Sequence, residues 1–271
     1  MKIFALTLNW NGLDMLKKLK PGLEANLSKF DWNWWIRDNG SKDGSPDEIS
    51  KWSKGSSKIH LLKKDHNRDN FSVGVNSLFD ESGVSDDDLV LLLNNDISFC
   101  DDASISNMID LMSKTNSAIC GARILFPDTN LISHCGVAFS RNHGNMPWHI
   151  KSHESTGSFD RKNRYFQAVT AACCLVKASS YKKAGKLNKN LHWSFEDIDL
   201  NLEISINQKE KVVCCGSTNI EHKTSASLNK NPVNKMFLSH NVRFFQEKWL
   251  GKYVIDYHKY LENPCYNEVK S

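Results

Sequence analysis

Residues Leu89 to Asp96, Leu-Val-Leu-Leu-Leu-Asn-Asn-Asp, constrain this chain more than any other stretch: an unbroken apolar run ends at once in two carboxamides and a carboxylate. Such a run suits a strand buried on both faces of a parallel sheet, and open sheets of that kind bind ligands in the crevice beyond the carboxyl ends of their strands. Asp96 is therefore a candidate for chemistry or metal binding. The same residues also form ordinary turns after core strands, because Asn and Asp bond their own backbone. Other segments have to decide between the two.

The pattern around this run alternates strand and helix, which predicts an α/β fold. Strands are expected over Ile3–Leu8, Trp34–Arg37, Ile59–Leu62 and Leu89–Leu93, with a short helix over Asp14–Lys20 stopped near Pro21 and another over Val73–Phe79. Pro46 opens a further helix, with Ser45 as its N-cap and Glu48 as the capping partner. The first hundred residues thus have the layout of a nucleotide-binding half. In the second half, Ala118–Leu125, Gln167–Val176 and Val212–Cys215 are strand candidates, Ser179–Ala184 is a short helix ended by Gly185, and a helix runs from after Trp193 to about Asn207. The expected organisation is a domain over 1–228, divided near residue 100, and a helical tail over 229–271. In that tail, from Asn234 to about Tyr260, Met236, Phe237, Val242, Phe244, Phe245 and Trp249 mark an aromatic face, which either packs on the body or meets a membrane surface.

At 271 residues and 40% hydrophobic content the chain can bury a sizeable core. Its net charge of +4 is too mild to argue for nucleic acid. No segment reaches the roughly 18 apolar residues of a membrane span, and the N-terminus begins with a strand rather than a signal peptide, so a cytoplasmic protein is expected. None of the eight cysteines has zinc-site spacing, and buried reduced thiols are expected.

Three further segments carry chemistry. Asp38-Asn39-Gly40-Ser41 delivers a carboxylate into a turn at the ligand edge, where it can accept a hydrogen bond from a base or ribose hydroxyl. Ser194-Phe195-Glu196-Asp197-Ile198-Asp199 crowds three acids into the first turn of a helix. Ser194 with Asp197 fits a capping box and acids complement the helix dipole, but Asp199 exceeds what a cap requires, and a helix N-terminus is a rigid mount for a general base. Asn219-Ile220-Glu221-His222 places a histidine after a strand, where a metal ligand and an ordinary surface residue are both open.

The order of these segments resembles the inverting nucleotide-sugar glycosyltransferases of family 2, with the GT-A fold, and within them the rhamnosyltransferase-like branch. The matching text is Leu6 to Gly12, Asp38 to Ser45, Gly74-Val75-Asn76, Leu93 to Asp96, Ile132-Ser133-His134-Cys135-Gly136, Ala172 to Val176, Phe195 to Leu200, and His222 with Ser225. The resemblance implies a central, mostly parallel sheet flanked by helices and a nucleotide-diphosphate sugar as donor. Asn9, Asn11, Asp38, Ser41, Asn76, Asn94 and Asn95 would line the donor pocket. Asp96 and His222 would hold a divalent cation, Mn²⁺ or Mg²⁺. Asp197, beside Glu196, would take the proton of the acceptor hydroxyl, which belongs to a glycan, polysaccharide or lipid-linked saccharide, with peripheral membrane contact as an accompaniment. Asn94 stands where the family has the first acid of its Asp-x-Asp motif and adds no negative charge at the metal.

Two other classes share these features. A catalytically silent module would keep the nucleotide pocket and lack turnover. A sugar-phosphate nucleotidyltransferase has a related sheet but a glycine-rich N-terminal loop, where this chain has Asn9-Trp10-Asn11-Gly12.

Overall fold

The computed structural model describes residues 1–192, 194–223 and 233–270, with side chains in the last stretch from 237 onward. Its first part alternates strand and helix: β1 (Ile3–Asn9), α1 (Leu13–Leu27), β2 (Trp32–Asn39), α2 (Ser45–Gly55), β3 (Ile59–Lys64), α3 (Phe71–Glu81) and β4 (Leu89–Leu93). There follow β5 (Ile97–Phe99), α4 (Ser104–Thr115), β6 (Ser117–Leu125), β7 (Ile132–His134), β8 (Val137–Ser140) and β9 (Met146–His149). The remainder comprises β10 (Arg164–Phe166), β11 (Cys173–Lys177), α5 (Ala178–Lys183), α6 (Glu196–Leu202) with a π-helical extension over Glu203–Asn207, β12 (Lys211–His222), α7 (Val233–Trp249) and α8 (Tyr257–Glu262).

The main sheet runs β10-β12-β6-β11-β4-β1-β2-β3, with β5 added to β12 and β7 to β6, while β8 and β9 form a separate hairpin. Along that path β1, β2, β3, β4, β6 and β12 point one way, and only β10 and β11 oppose them. The unbroken apolar runs follow from burial on both sides. Ile3 and Ala5 of β1 join the core under α1, α2 and α4, whereas Phe4 and Leu6 join the core under α3, α5 and α6. All five residues of β4 and all nine of β6 are buried. One close approach on β6 has a bearing on the site: a Cβ added at Gly121 would lie 2.5 Å from the Val169 side chain. Glycine at 121 lets the 167–172 segment lie down on the sheet.

Several local expectations are corrected. α1 continues through Pro21 to Leu27. A proline inside a helix costs roughly 3 kcal/mol, but Leu23 and Leu27 lie beyond it and are fully buried, and burying each stabilises by roughly 1.5–3 kcal/mol. The cap of α2 is Gly44 at φ 88°, not Ser45. Ser45 instead donates through both N–H and Oγ to Asp43 Oδ1, and Glu48 accepts from Trp52 Nε1, so no capping box forms. The expected strand over Gln167–Val176 begins only at Cys173. Ser194 does not cap α6; Phe195 does, and the Ser194 hydroxyl accepts from Asn241 Nδ2.

The adjacent cysteine pairs alternate across their strands. Cys173 and Cys215 face one core and Cys174 and Cys214 the other. Cys100 and Cys265 are exposed rather than buried, and all eight thiols are free.

The tail folds back on the body in two helices interrupted at 250–256. Phe245, Trp249 and Tyr253 form a third core with Val137, Phe139, Ala168, Ile198 and Leu202. The Phe139 and Tyr253 rings stack 4.0 Å apart, and Phe245 meets Phe195 at 5.1 Å. The central part of the aromatic face is thus turned inward, onto the body. Lys235 and Met236 carry no described side chain, and Trp193 and Ser225 lie outside the described residues. Among the described residues no helix is long and apolar enough to cross a membrane. Because Trp249 is buried and also hydrogen-bonded, Trp249→Ala should lower folding stability by about 3–5 kcal/mol, read as a fall in the denaturant midpoint at unchanged m-value.

Candidate active site

The carboxyl ends of β1, β2 and β4 meet in a network of short polar side chains. Asn9, fully buried at the end of β1, donates from Nδ2 to Asp38 Oδ2 at 2.8 Å and accepts at Oδ1 from Asn95 Nδ2 at 2.8 Å. Asp38 also receives the Ser41 N–H at Oδ1 (2.9 Å) and the Ser41 hydroxyl at Oδ2 (2.7 Å). Asn11 ties the two turns together: its N–H donates to Ser41 Oγ and its Oδ1 accepts from the Lys42 N–H, each at 2.8 Å. A Cβ at Gly12 would fall 2.3 Å from Asn95 Nδ2 and 2.6 Å from Asn9 Oδ1, so any side chain there would displace the hydrogen bond between them.

Asn9, Asn11, Asp38, Ser41 and Asn95 therefore stand together. Asp38 is fully buried, its two oxygens held by Ser41 and Asn9, so in this structure it shapes the turn. Asn76 is not part of the cluster. Its amide donates to the Leu187 carbonyl and accepts from the Tyr181 hydroxyl and the Leu187 N–H, which clamps the segment after α5 against α3. Its oxygen and one amide N–H are engaged by Leu187 and Tyr181, and the side chain is buried.

A second cluster lies at the far side of β4. His222, the last residue of β12, pairs in register with Ile97 of β5, and this brings its Nε2 to 2.9 Å from Asp96 Oδ1 and 3.4 Å from Asn94 Nδ2. Carboxylate oxygen and imidazole nitrogen form a donor set that suits a divalent cation. Among the described residues no group of three or more His, Cys, Asp or Glu side chains is arranged for a metal. An ion here would complete its shell with water and the oxygens of a bound phosphate, as Mg²⁺ commonly does.

The third part is the start of α6. Phe195 caps this helix in the left-handed region, at φ 69°, a conformation costly for a bulky side chain. Asp197 accepts the Ile198 N–H at Oδ1 (2.8 Å) and the Ala171 N–H at Oδ2 (3.3 Å). Burial pushes its carboxyl up, and the neighbouring His149 draws it back down. Burial pushes Glu196 up to about 8, and the Asp197 charge adds to this. Glu196 Oε2 is buried with no hydrogen-bond partner among the described residues. Asp199 is held from behind: Trp249 Nε1 at 2.6 Å and Lys248 Nζ at 2.7 Å meet its Oδ1, and Asn188 Nδ2 meets Oδ2 at 3.2 Å. The acid that exceeds the needs of a cap thus anchors the tail. Asn201, one turn further on, exchanges two hydrogen bonds with the backbone of Val169 and so fixes the 169–171 segment against Asp197.

Sequence reasoning passed over His149. It sits on β9 in a hairpin with no distinguishing pattern, and only the fold brings it to Asp197. His134, whose Nδ1 lies 3.1 Å from His149 Nδ1, was part of a matching motif but carried no role.

The glycosyl transferase family 2 pattern matches residues 12–183. The chain belongs to that family. An uncharacterized protein of Sinorhizobium fredii, y4gI, is 27% identical over 201 residues, which cover 70% of this chain and 21% of that protein. The chain thus spans about a fifth of the length of this relative. Residues 1–349 of TarS from S. aureus, in complex with UDP-GlcNAc, superpose with a TM-score of 0.65 at 11% identity, over 98% of this chain and 73% of that one. The mannosyltransferase PcManGT from Pyrobaculum calidifontis, in complex with GDP-Man and Mn²⁺, gives 0.64 at 9% identity, over 96% and 70%. GalNAc-T7 with UDP, GalNAc and Mn²⁺ gives 0.65 at 10% identity, over 82% and 44%. The α/β architecture of this family 2 chain is the GT-A fold.

The Glu196 environment has a measurable consequence for stability. An unfolded glutamate titrates near about 4.3. With the folded value raised to about 8, the folded chain keeps this proton over a window in which the unfolded chain has lost it, and stability falls as pH rises through that window. Glu196→Gln has no proton to lose. Its melting temperature relative to wild type should climb from mildly acidic to mildly alkaline pH and then level off; a pH-independent difference would contradict the assignment.

Proposed function

We propose that this chain transfers a sugar from a nucleoside-diphosphate sugar to an acceptor hydroxyl by single displacement, with inversion at the anomeric carbon. The observation that carries this is one short segment bonded to both halves of the site. The Ala172 carbonyl accepts from the Asn94 N–H at 2.9 Å, and the adjacent Ala171 N–H reaches Asp197 Oδ2 at 3.3 Å. The pair that suits a cation and the carboxylate that suits a base are thereby held on opposite sides of a common strut. A diphosphate bound at Asp96 and His222 would direct its sugar toward Asp197.

In this scheme the network of Asn9, Asn11, Asp38, Ser41 and Asn95 shapes the nucleotide pocket, and Asn94 faces the ribose or the diphosphate. Asp96 and His222 would hold Mn²⁺ or Mg²⁺, which when bound offsets the charge gathering on the leaving diphosphate. Asp197 takes the proton of the acceptor hydroxyl while that oxygen's lone pair forms the new bond to the anomeric carbon. The bond from that carbon to the diphosphate oxygen breaks at the same time, and its electron pair leaves with the nucleotide. Attack from the face opposite the leaving group inverts the centre. The raised Asp197 carboxyl makes a stronger base than an exposed aspartate, and Glu196, pushed up to about 8, keeps its proton at neutral pH and spares the site a second charge. The acceptor is a saccharide or lipid-linked saccharide hydroxyl, and the order of motifs favours the rhamnosyltransferase-like branch.

Two experiments test this. A thermal-shift screen of UDP-, dTDP- and GDP-sugars with Mn²⁺ should identify a stabilising donor. With that donor, Asp197→Asn should keep binding and lose turnover by roughly 100-fold or more, the scale of a lost general base. Binding without turnover in the wild type would instead indicate a silent module. For the metal, excess EDTA should abolish turnover, Asp96→Ala should raise the Mn²⁺ concentration giving half activity, and His222→Ala should do so more mildly, since water can replace a lost ligand. Full activity in EDTA would remove the cation from the scheme.

A further inference from the structure

Between the end of α5 at Lys183 and the start of α6 at Glu196 the described residues form neither helix nor strand, so their backbone groups need partners from elsewhere. Three buried asparagine side chains supply them. Asn76 of α3 holds the N–H and the carbonyl of Leu187, and Asn70, which caps α3, donates to the Lys189 carbonyl at 2.8 Å and the Leu191 carbonyl at 3.4 Å. Asn241 of α7, fully buried, takes the last part. Its Nδ2 donates to the His192 carbonyl at 2.6 Å, to the Ser194 carbonyl at 3.1 Å and to the Ser194 hydroxyl at 3.0 Å, and its Oδ1 accepts from the His192 N–H at 3.4 Å. Phe237, one turn earlier on the same helix, stacks on the His192 ring with 4.5 Å between centroids.

The Ser194 carbonyl belongs to the same planar peptide unit as the Phe195 nitrogen, so a bond to the one orients the other. The φ angle of Phe195 is the rotation between that plane and its own Cα. On the far side of Phe195, its carbonyl accepts from the Asp199 N–H at 2.8 Å, which fixes the next plane. Both peptide planes flanking the left-handed residue are thereby tied, one by the tail and one by α6. We propose that Asn241 is a positioning residue for transfer: by holding the peptide between Ser194 and Phe195 it keeps Phe195 left-handed, and so directs the first turn of α6 and the Asp197 carboxylate on it. The proposal rests on Asp197 being the base. Asn241 touches no reacting atom and acts through the backbone alone. Without it, a bulky residue relaxes toward negative φ, and the turn that carries Asp197 swings against its 3.3 Å bond to the Ala171 N–H. The network around Asn9 and Asp38 stands on other strands and keeps its shape, so the donor is bound as before.

Turnover is followed as release of UDP, dTDP or GDP from the corresponding sugars with Mn²⁺, water serving as the acceptor. Asn241→Ala should lower kcat roughly 10- to 100-fold, the scale of a catalytic group displaced by up to about 1 Å, with donor KM unchanged. Asn241→Ser keeps one donor and should fall between that variant and wild type; it also carries the test if the alanine variant does not fold. Tyr253→Phe is the control for the tail as a packing element. It removes the bond from the Tyr253 hydroxyl to the Asn145 carbonyl, and should lower the melting temperature with kcat unchanged. In hydrogen exchange of the full chain, the fragment carrying residues 195–199 should lose protection in Asn241→Ala and keep it in Tyr253→Phe. Unchanged kcat in a folded Asn241 variant, or an equal loss in Tyr253→Phe, would overturn the positioning role. A raised donor KM at unchanged kcat would overturn it too. No release by the wild type would overturn the transferase scheme and the positioning role together, while exchange over 195–199 would still decide the clamp.

Discussion

β11 is inserted, reversed, between β4 and β6, and the site depends on that pairing. Its register sets Cys173 opposite Leu93 and Cys174 opposite Leu92 on one side, and Cys174 opposite Gly121 on the other. Because β11 runs against its neighbours, the residues that precede it, 170–172, emerge at the same edge as the carboxyl end of β4. A parallel strand would have placed them at the far edge, some five residues or about 17 Å away. From this one reversal follow the Asn94 to Ala172 bond, the Ala171 to Asp197 bond, and the approach of His134 to Thr170.

The parts legible in the sequence are those dictated by burial on both faces of a strand. Leu89–Leu93 is bounded as its apolar run is, and the polar residues after it, with Asn9 and Asp38, come together because parallel strands end at a common edge. Features that depend on tertiary partners were not legible. Nothing near Pro21 announces that Leu23 and Leu27 will be fully buried and carry the helix onward. Asn76 has the composition of a ligand residue, but its amide is satisfied by Leu187, more than a hundred residues away. His149 gains its meaning from His134 and Asp197, on two other elements. Capping rules misplaced both helix starts in the same way: a left-handed residue, Gly44 or Phe195, occupies the cap position where a serine was expected, and makes no side-chain cap hydrogen bond.

Charge is arranged unevenly across the start of α6. Glu196 is driven toward its neutral form, Asp197 is held by two peptide N–H groups, and Asp199 is paired with Lys248 and accepts a hydrogen bond from Trp249. Three neighbouring acids would repel one another if all were equally exposed to solvent or equally buried. The fold gives each a different environment, so the three carboxyls do not titrate alike. The tail contributes to this by occupying Asp199.

Phe195 holds a left-handed backbone that glycine would adopt without strain, and its ring is pinned by Phe245 from the tail. The backbone strain is tolerated because the ring packs against the third core. Glycine there would relieve about 1–3 kcal/mol of backbone strain but give up the ring's packing against Phe245, a loss of the order of 3–5 kcal/mol for a fully buried aromatic. The strained joint at the start of α6 is thus held in place by a helix from the tail, and two separate stretches of the sequence share the stability of one turn.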